Sequence, residues 1–407
     1  MKKIELLAPA GDVERLKIAI RYGADAVYIG GKKFSLRSRA SNFDMDDIAE
    51  GVRFAKQHGA RIHVTVNMLP HEEDLEGLKE YIMQLEKIGV SAIIVASLYI
   101  MKLAKSVTKK LEVHVSTQHS STNASAIAFY KDLGMDRVVL ARECSLHDIQ
   151  YTSAHATLPL EVFIHGGMCV SYSGRCTLSN ALTNRDANRG GCAQSCRWKY
   201  RVYDEHGAMY DEQHLFSMSS KDMNASHFIG DLIDAGVASL KIEGRMKSQY
   251  YLATIVRTYR LMIDEYYANG NISKSHMDFY QQEFTKAENR LTSIGFYQGL
   301  PKAQDHLYGI NGTGVSQEFI AYVLDYDEKQ QIATLEVRNN FHSGIQAEVF
   351  GAHTPNQVFE IQELYNEHQE LVEVAKTPMM ILYTKIDIKI QKHDMIRKII
   401  NKRENVY

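Results

Sequence analysis

Along the N-terminal part of the chain, short runs of branched apolar residues alternate with stretches whose apolar positions fall at helical spacing. The first run, Ile4 to Ala8, is broken by Pro9, Ala10 and Gly11. Asp12 follows as an N-cap, with Leu16, Ala19 and Ile20 on one face of the helix it starts and Gly23 closing that helix. The scheme repeats in the runs Ala26 to Ile29, Ile62 to Val66, Ala92 to Val95, Leu111 to Val115, Arg137 to Leu140, Leu160 to Ile164 and Ser239 to Ile242. Asp44 caps a helix with Ile48, Val52 and Ala55 on one face, and Leu75, Leu78, Ile82 and Leu85 mark the next. Gly59, Gly89, Gly134 and Gly236 each fall between a helix and the following run, where a left-handed C-cap favours glycine. Eight such units predict an α/β fold, a (β/α)8 TIM-like barrel, over residues 1–300.

The gap between the seventh and eighth runs is far longer than the others. It holds a cysteine-rich insertion, residues 165–200, and then a hairpin from Arg201 to Met218. A long connection after a barrel strand is more often functional than structural. A helix from Gln249 to Tyr267 follows the eighth run. Gly299, Leu300 and Pro301 mark a boundary, with a linker at 301–311. From 312 to 407 the texture changes to short β-rich runs: Phe319 to Leu324, Ile332 to Val337, Ala347 to Phe350, Leu371 to Val374 and Met380 to Thr384. These predict a small C-terminal antiparallel β-barrel domain.

A barrel of this kind carries its active site at the C-terminal ends of its strands. Those positions hold Asn67, Ser97, Gln118 with His119, Arg142 with Glu143, His165, and Glu243 with Arg245. Any one of them could be an ordinary polar residue at a strand end, but the ring together predicts a polar pocket.

Composition narrows the class. Hydrophobic residues make up 45% and the net charge is -2, so no global basic field draws in nucleic acid, although a local patch remains open. Glu5 interrupts the first apolar run and Asp12 ends it too early for a signal peptide, and no run reaches the length of a membrane span. We read the protein as cytoplasmic. In that reducing compartment clustered cysteines are metal ligands or catalysts rather than disulfides.

Four of the five cysteines lie in the insertion, spaced Cys169-x6-Cys176-x15-Cys192-x3-Cys196. The first pair is too widely spaced for a simple zinc knuckle. A 4Fe–4S cluster tolerates irregular spacing and suits the glycines nearby, Gly166, Gly167, Gly174, Gly190 and Gly191. Zinc and unligated thiols are the alternatives. Cys144 reads as a small buried hydrophobe. Arg175, Arg185, Arg189, Arg197 and Lys199 interleave with Trp198 and Tyr200, a mixture that suits RNA whose bases stack while its phosphates are neutralised. Arg257 and Arg260 on the long helix face either solvent or a phosphate backbone. A peptidase lacks a recognisable engine: His71-Glu72 has Leu75 where a second zinc-binding histidine belongs, and no nucleophile elbow occurs. A Cys169 nucleophile beside His165 is what remains of that reading.

The segment with Glu161-Val-Phe163, Gly166, Cys169, Ser173-Gly174, Cys176 and Ser179 resembles the signature of the collagenase-like peptidase family U32, with Gly167 where the pattern prefers serine or alanine. LLAPAGD near the start, AVYIGG, the stretch from Arg37 to Phe43 and KIEGRMKS from Lys241 to Ser248 are also similar to that family. The family name implies proteolysis. Its better-understood members imply oxygen-independent hydroxylation, including formation of 5-hydroxyuridine at the tRNA wobble position, and this chain looks most like those. The resemblance implies a 4Fe–4S cluster on Cys169, Cys176 and Cys192, with Cys196 assigned as fourth ligand because it is the candidate close by. It also implies prephenate as co-substrate, tRNA as partner, and a second family member as a further partner. On that basis Arg37, Asn67, Arg142 and Arg245 are expected to bind substrate, and His119, Gln118, His165 and Glu243 to handle protons. Arg189, Arg197, Trp198 and Arg257 are expected to contact RNA. A non-catalytic RNA-binding role is the remaining alternative.

Overall fold

The computed structural model describes residues 3–35, 42–208, 215–287, 290–307 and 317–399. Eight parallel strands close into a barrel: Glu5–Pro9, Ala26–Gly30, Arg61–Val66, Ala92–Val95, Glu112–Val115, Arg137–Val139, Leu160–Gly166 and Ser239–Ile242. The eighth pairs with both the first and the seventh, which completes the ring. Each expected run is a strand, with ends shifted by a residue or two. The runs read clearly because each strand carries branched apolar residues between turn and helix signals, even where Arg61, His63 and Thr65, Glu112 and His114, or Ser239 and Lys241 alternate with them.

Helices wrap the ring. Asp12 and Asp44 cap theirs as expected, each accepting main-chain N–H groups, and Asp44 forms a full capping box with Asp47. Gly59, Gly89, Gly134 and Gly236 all adopt positive φ. The longest helix, Gln249–Asn269, is buried along most of its length between the barrel and the C-terminal module.

The barrel interior is not wholly apolar. Glu5, His63, His114 and Glu161, from the first, third, fifth and seventh strands, are all buried. Arg137 bridges Glu5 at 2.5 Å and Glu161 at 3.1 Å, and Lys241 reaches Glu161 at 2.6 Å. Layers of four side chains from alternate strands are usual in such barrels, but bulky aliphatic residues normally fill them.

The C-terminal module is an eight-stranded antiparallel sheet, a half-barrel over its own core of Ile320, Val323, Leu335, Val349, Leu382 and Ile396. The strand Met395–Ile399 lies inside this sheet, between Gln317–Asp327 and Gln346–Phe350. Two arginines join the module to the barrel. Arg257 donates to the main-chain oxygens of Gly351 at 2.6 Å and Thr354 at 3.1 Å, and to Asn356 at 3.0 Å. Its expected place on an RNA-facing surface is therefore corrected: it is an interdomain strut, buried because its carbonyl partners are. Arg260, its neighbour on the helix, pairs with Asp25 and Asp264. Arg397 is fully buried and bridges Glu283 at 2.8 Å and Glu348 at 2.5 Å. Among the described residues no helix is long and apolar enough to cross a membrane.

Candidate active site at the barrel mouth

The seventh strand runs on past the rim to Gly166, whose φ of +101° turns the chain across the barrel. A side chain there would strike the Glu243 carbonyl, at 2.3 Å from its Cβ. The insertion is then pinned at several points. Gly174 sits on the main-chain oxygen of Gln118, which a Cβ would approach to 2.3 Å, and Ser120 donates to the Ser173 carbonyl at 2.7 Å. Arg189 bonds Asp74 at 2.8 Å and Glu73 at 3.2 Å, and the Leu69 N–H donates to the Asn188 carbonyl. Gly166 and Gly174 let the insertion backbone lie against the rim, and Gly191 fits against the Asp186 main chain.

Between the pinning points the helix Leu178–Thr183 and the turn Ser195–Arg197 bring the cysteines together. Cys169, Cys176, Cys192 and Cys196 all line one cavity of about 240 Å³ above the barrel mouth. Asn188 donates to the Cys176 carbonyl at 3.2 Å, and Ser179 accepts from the Ala193 N–H at 3.1 Å, so both cysteine pairs share one frame. Packing raises the thiols of Cys169 and Cys196 above their ordinary range, and the nearby sulfurs raise them further. Such thiols lose their protons when a cation binds. Cys144 is buried, and burial pushes its thiol up to about 12, which leaves it inert.

Of the ring expected at the strand ends, Gln118, Arg142 and Glu243 line this cavity with the cysteines. The Arg142 guanidinium lies 3.9 Å over the Phe163 ring and has no hydrogen-bond partner among the described residues. Arg197 also lines the cavity and bonds Gln194 at 3.3 Å. The structure does not bring the others to it. His119 is held by the Tyr130 hydroxyl at 3.0 Å, and burial lowers its pKa so that it stays neutral. Arg245 is buried one layer down, donating to Ser35 at 3.1 Å and Asn42 at 2.5 Å, and its guanidinium fills the space that a side chain at Gly30 would take. Asn67 follows the last residue of the third strand and is not among the residues lining the cavity. Ser97 caps the helix Leu98–Val107, and Arg37 lies outside the described residues. Arg189, expected on RNA, is engaged by Glu73 and Asp74 as an anchor of the insertion, whereas Trp198 is 45% exposed.

His165 is the clearest departure. It is buried among Tyr251, Tyr259 and Phe284, bonds the Tyr259 hydroxyl at 3.1 Å, and does not line the cavity into which Cys169 opens. Burial, with Lys247 adding to it, lowers its pKa to about 3. The folded state therefore holds it neutral, and the stability this gives is complete above the unfolded pKa of about 6.5 and is lost as pH falls below it. Urea unfolding is expected to show a loss of about 2 kcal/mol from this residue between about pH 7.5 and pH 5, at about 1.4 kcal/mol per unit. His165→Gln should remove that component of the pH dependence.

The reading from residues alone passed over Asp222, Lys247, Tyr172 and Met246, which also line the cavity. Lys247 pairs with Asp222 at 3.4 Å and lies over the Tyr251 ring. Lys247 and Met246 stand in the same KIEGRMKS stretch as Arg245, which was the available signal.

A TIM-like barrel capped by a thiol-bearing insertion and braced by a half-barrel module defines a class of protein. The chain belongs to peptidase family U32: the family model matches residues 11–307, and the model of its C-terminal domain matches residues 315–397. It is 45% identical over 405 residues to tRNA hydroxylation protein P1 of Bacillus subtilis, covering 98% of this chain and 95% of that one. It is 44% identical over 263 residues to the 23S rRNA 5-hydroxycytidine synthase of Escherichia coli, covering 64% of this chain and 39% of that one. A collagenase of Porphyromonas gingivalis is 32% identical over 389 residues, covering 91% of this chain and 92% of that one.

Proposed function

We propose that this chain hydroxylates RNA, with the wobble uridine of tRNA as target and 5-hydroxyuridine as product. In this reading a 4Fe–4S cluster rests on Cys169, Cys176, Cys192 and Cys196. The observation that carries it is the convergence of all four thiols on one cavity beside Arg142, Gln118 and Glu243. Relatives named for tRNA and rRNA hydroxylation support the reaction class.

When bound, such a cluster supplies single electrons. The remaining work belongs to the chain. Arg142 offers a planar fork of donors to a carboxylate, which fits prephenate as co-substrate. Gln118 and Glu243 can hold the polar edge of a base at the same wall. Tyr172 and Met246 line the cavity and are exposed at its mouth, and Trp198 is exposed on the same insertion, so these side chains offer faces for stacking an extruded base. The peptidase reading has a namesake relative, yet His165 is held by Tyr259 inside an aromatic cage, which leaves Cys169 without the base that reading draws on.

Nucleoside mass spectrometry of tRNA tests the proposal. A strain lacking this chain and any second family member should lose 5-hydroxyuridine and regain it when this chain is restored, with or without the paralogue. Undiminished 5-hydroxyuridine in the double deletion would overturn the reading. Arg142→Ala is expected to lower hydroxylation at least ten-fold at limiting prephenate, with recovery at excess and unchanged iron content. A loss that excess prephenate does not repair would place Arg142 outside co-substrate binding.

A further inference from the structure

We propose that His63, His114 and Glu161, projecting from the third, fifth and seventh strands into the barrel axis, form a site for one divalent transition-metal ion of the zinc class. This site lies inside the barrel and is separate from the cysteines at the mouth. The three side chains are fully buried, and one ligand atom from each falls within 4.8 Å of the other two. The imidazole rings stand nearly perpendicular, with centroids 5.0 Å apart.

Hydrogen bonding points the donors inward. His114 Nε2 lies 2.9 Å from a carboxylate oxygen of Glu112, which makes Nε2 the protonated nitrogen and leaves the Nδ1 lone pair buried without a protein partner. A carboxylate behind a histidine in this way is the usual support of a metal-binding imidazole. His63 is more telling, since neither ring nitrogen has a partner although both are buried. Buried polar atoms without partners are rare, and each costs about 1–3 kcal/mol. An ion accepting one lone pair from each histidine would satisfy His114 Nδ1 and one of the two His63 nitrogens, and so remove part of that cost.

Glu5, Glu112 and Glu161 stand against Arg61, Arg137 and Lys241 around the site, so the charges balance before an ion binds. Glu161 receives Lys241 on one oxygen at 2.6 Å and Arg137 on the other at 3.1 Å. Arg137 also holds Glu5 at 2.5 Å, and Glu5 further accepts from Arg61 and from Ser239 at 2.8 Å. Arg137 can therefore release Glu161 without losing its carboxylate, freeing that oxygen for the ion. Two imidazole nitrogens and one carboxylate oxygen form a donor set suited to zinc or cobalt(II) and poor for calcium. A cavity of about 750 Å³ at the N-terminal end of the barrel, lined by Glu5, Arg61, Glu112 and Arg137, reaches the side chains that flank the three ligands but not the ligands themselves.

The test loads the full chain with zinc alone and with cobalt(II) alone, then removes loosely held ion by gel filtration. About one ion per chain is expected in a background with all four insertion cysteines changed to serine, along with a raised thermal midpoint. His63→Gln and His114→Gln should each lower retention at least ten-fold. X-ray absorption at the zinc edge gives an independent reading on the unsubstituted chain, which covers the case in which a variant does not fold. Nitrogen and oxygen neighbours with an imidazole pattern support the site. No retained zinc, zinc with sulfur neighbours alone, or retention unchanged in both histidine variants would overturn it.

Discussion

Changing Cys169, Cys176 or Cys192 to alanine is expected to reduce 5-hydroxyuridine in tRNA at least a hundred-fold and to strip the purified protein of iron. The barrel should meanwhile keep its far-ultraviolet circular dichroism spectrum. The expectation rests on geometry: all four thiols border one cavity, and the insertion that carries them is held to the rim by Gly174, Ser173 and Arg189 rather than by the cysteines. Cys196→Ala should have the same effect if Cys196 completes the set, and Cys144→Ala none, because Cys144 lies in the apolar core. Nucleoside mass spectrometry and iron analysis of anaerobically isolated protein provide the two readouts. Iron retained at wild-type level in a Cys169→Ala, Cys176→Ala double variant would refute the assignment.

Replacing Arg397 by methionine is expected to cost about 3–5 kcal/mol of stability, the range for breaking a buried ion pair by removing one partner. Arg397 is buried against Glu283 and Glu348, and its guanidinium also lies 4.4 Å over the Phe350 ring. The pairing holds Glu283 below the usual carboxylate range despite the burial that opposes it. Methionine fills much of the volume but leaves two carboxylates with Lys286 as their shared cation, at 2.6 Å and 3.0 Å. Equilibrium urea denaturation measures the loss. Adding Glu283→Gln and Glu348→Gln to Arg397→Met should recover a large part of it, because the uncompensated charges then disappear. A single variant as stable as the wild type would show that the pair contributes little.

Much of the barrel was legible in the chain because its strands are short runs of branched apolar residues and its helices begin at Asp12 and Asp44 and end near glycines of positive φ. The same apolar runs contain Glu5, His63, His114, Arg137, Glu161 and Lys241, and nothing local reveals that these six point at one another across the axis. Strand Met395–Ile399 escaped notice for a related reason: Arg397 is charged in sequence and fully buried in space, so its run reads as solvent-facing. At the mouth, Gln118, Arg142 and Glu243 were identifiable from strand-end position, and the cysteines from their clustering in the long insertion. His165, inside the seventh strand, and Arg245, three residues beyond the eighth, are both carried into the packed interior, where Tyr259, Ser35 and Asn42 engage them. Position along a strand determines which end a residue reaches, whereas the rotation of the strand and the insertion above it decide what the residue meets.

The insertion draws its four thiols from two segments on either side of the helix Leu178–Thr183, and its anchors reach rim residues after the third and fifth strands. The sulfurs can therefore take up their arrangement only once the barrel has closed beneath them. If the thiols hold the proposed cluster, whatever delivers iron and sulfide would meet a finished scaffold rather than a nascent chain, and loading would be a late maturation step.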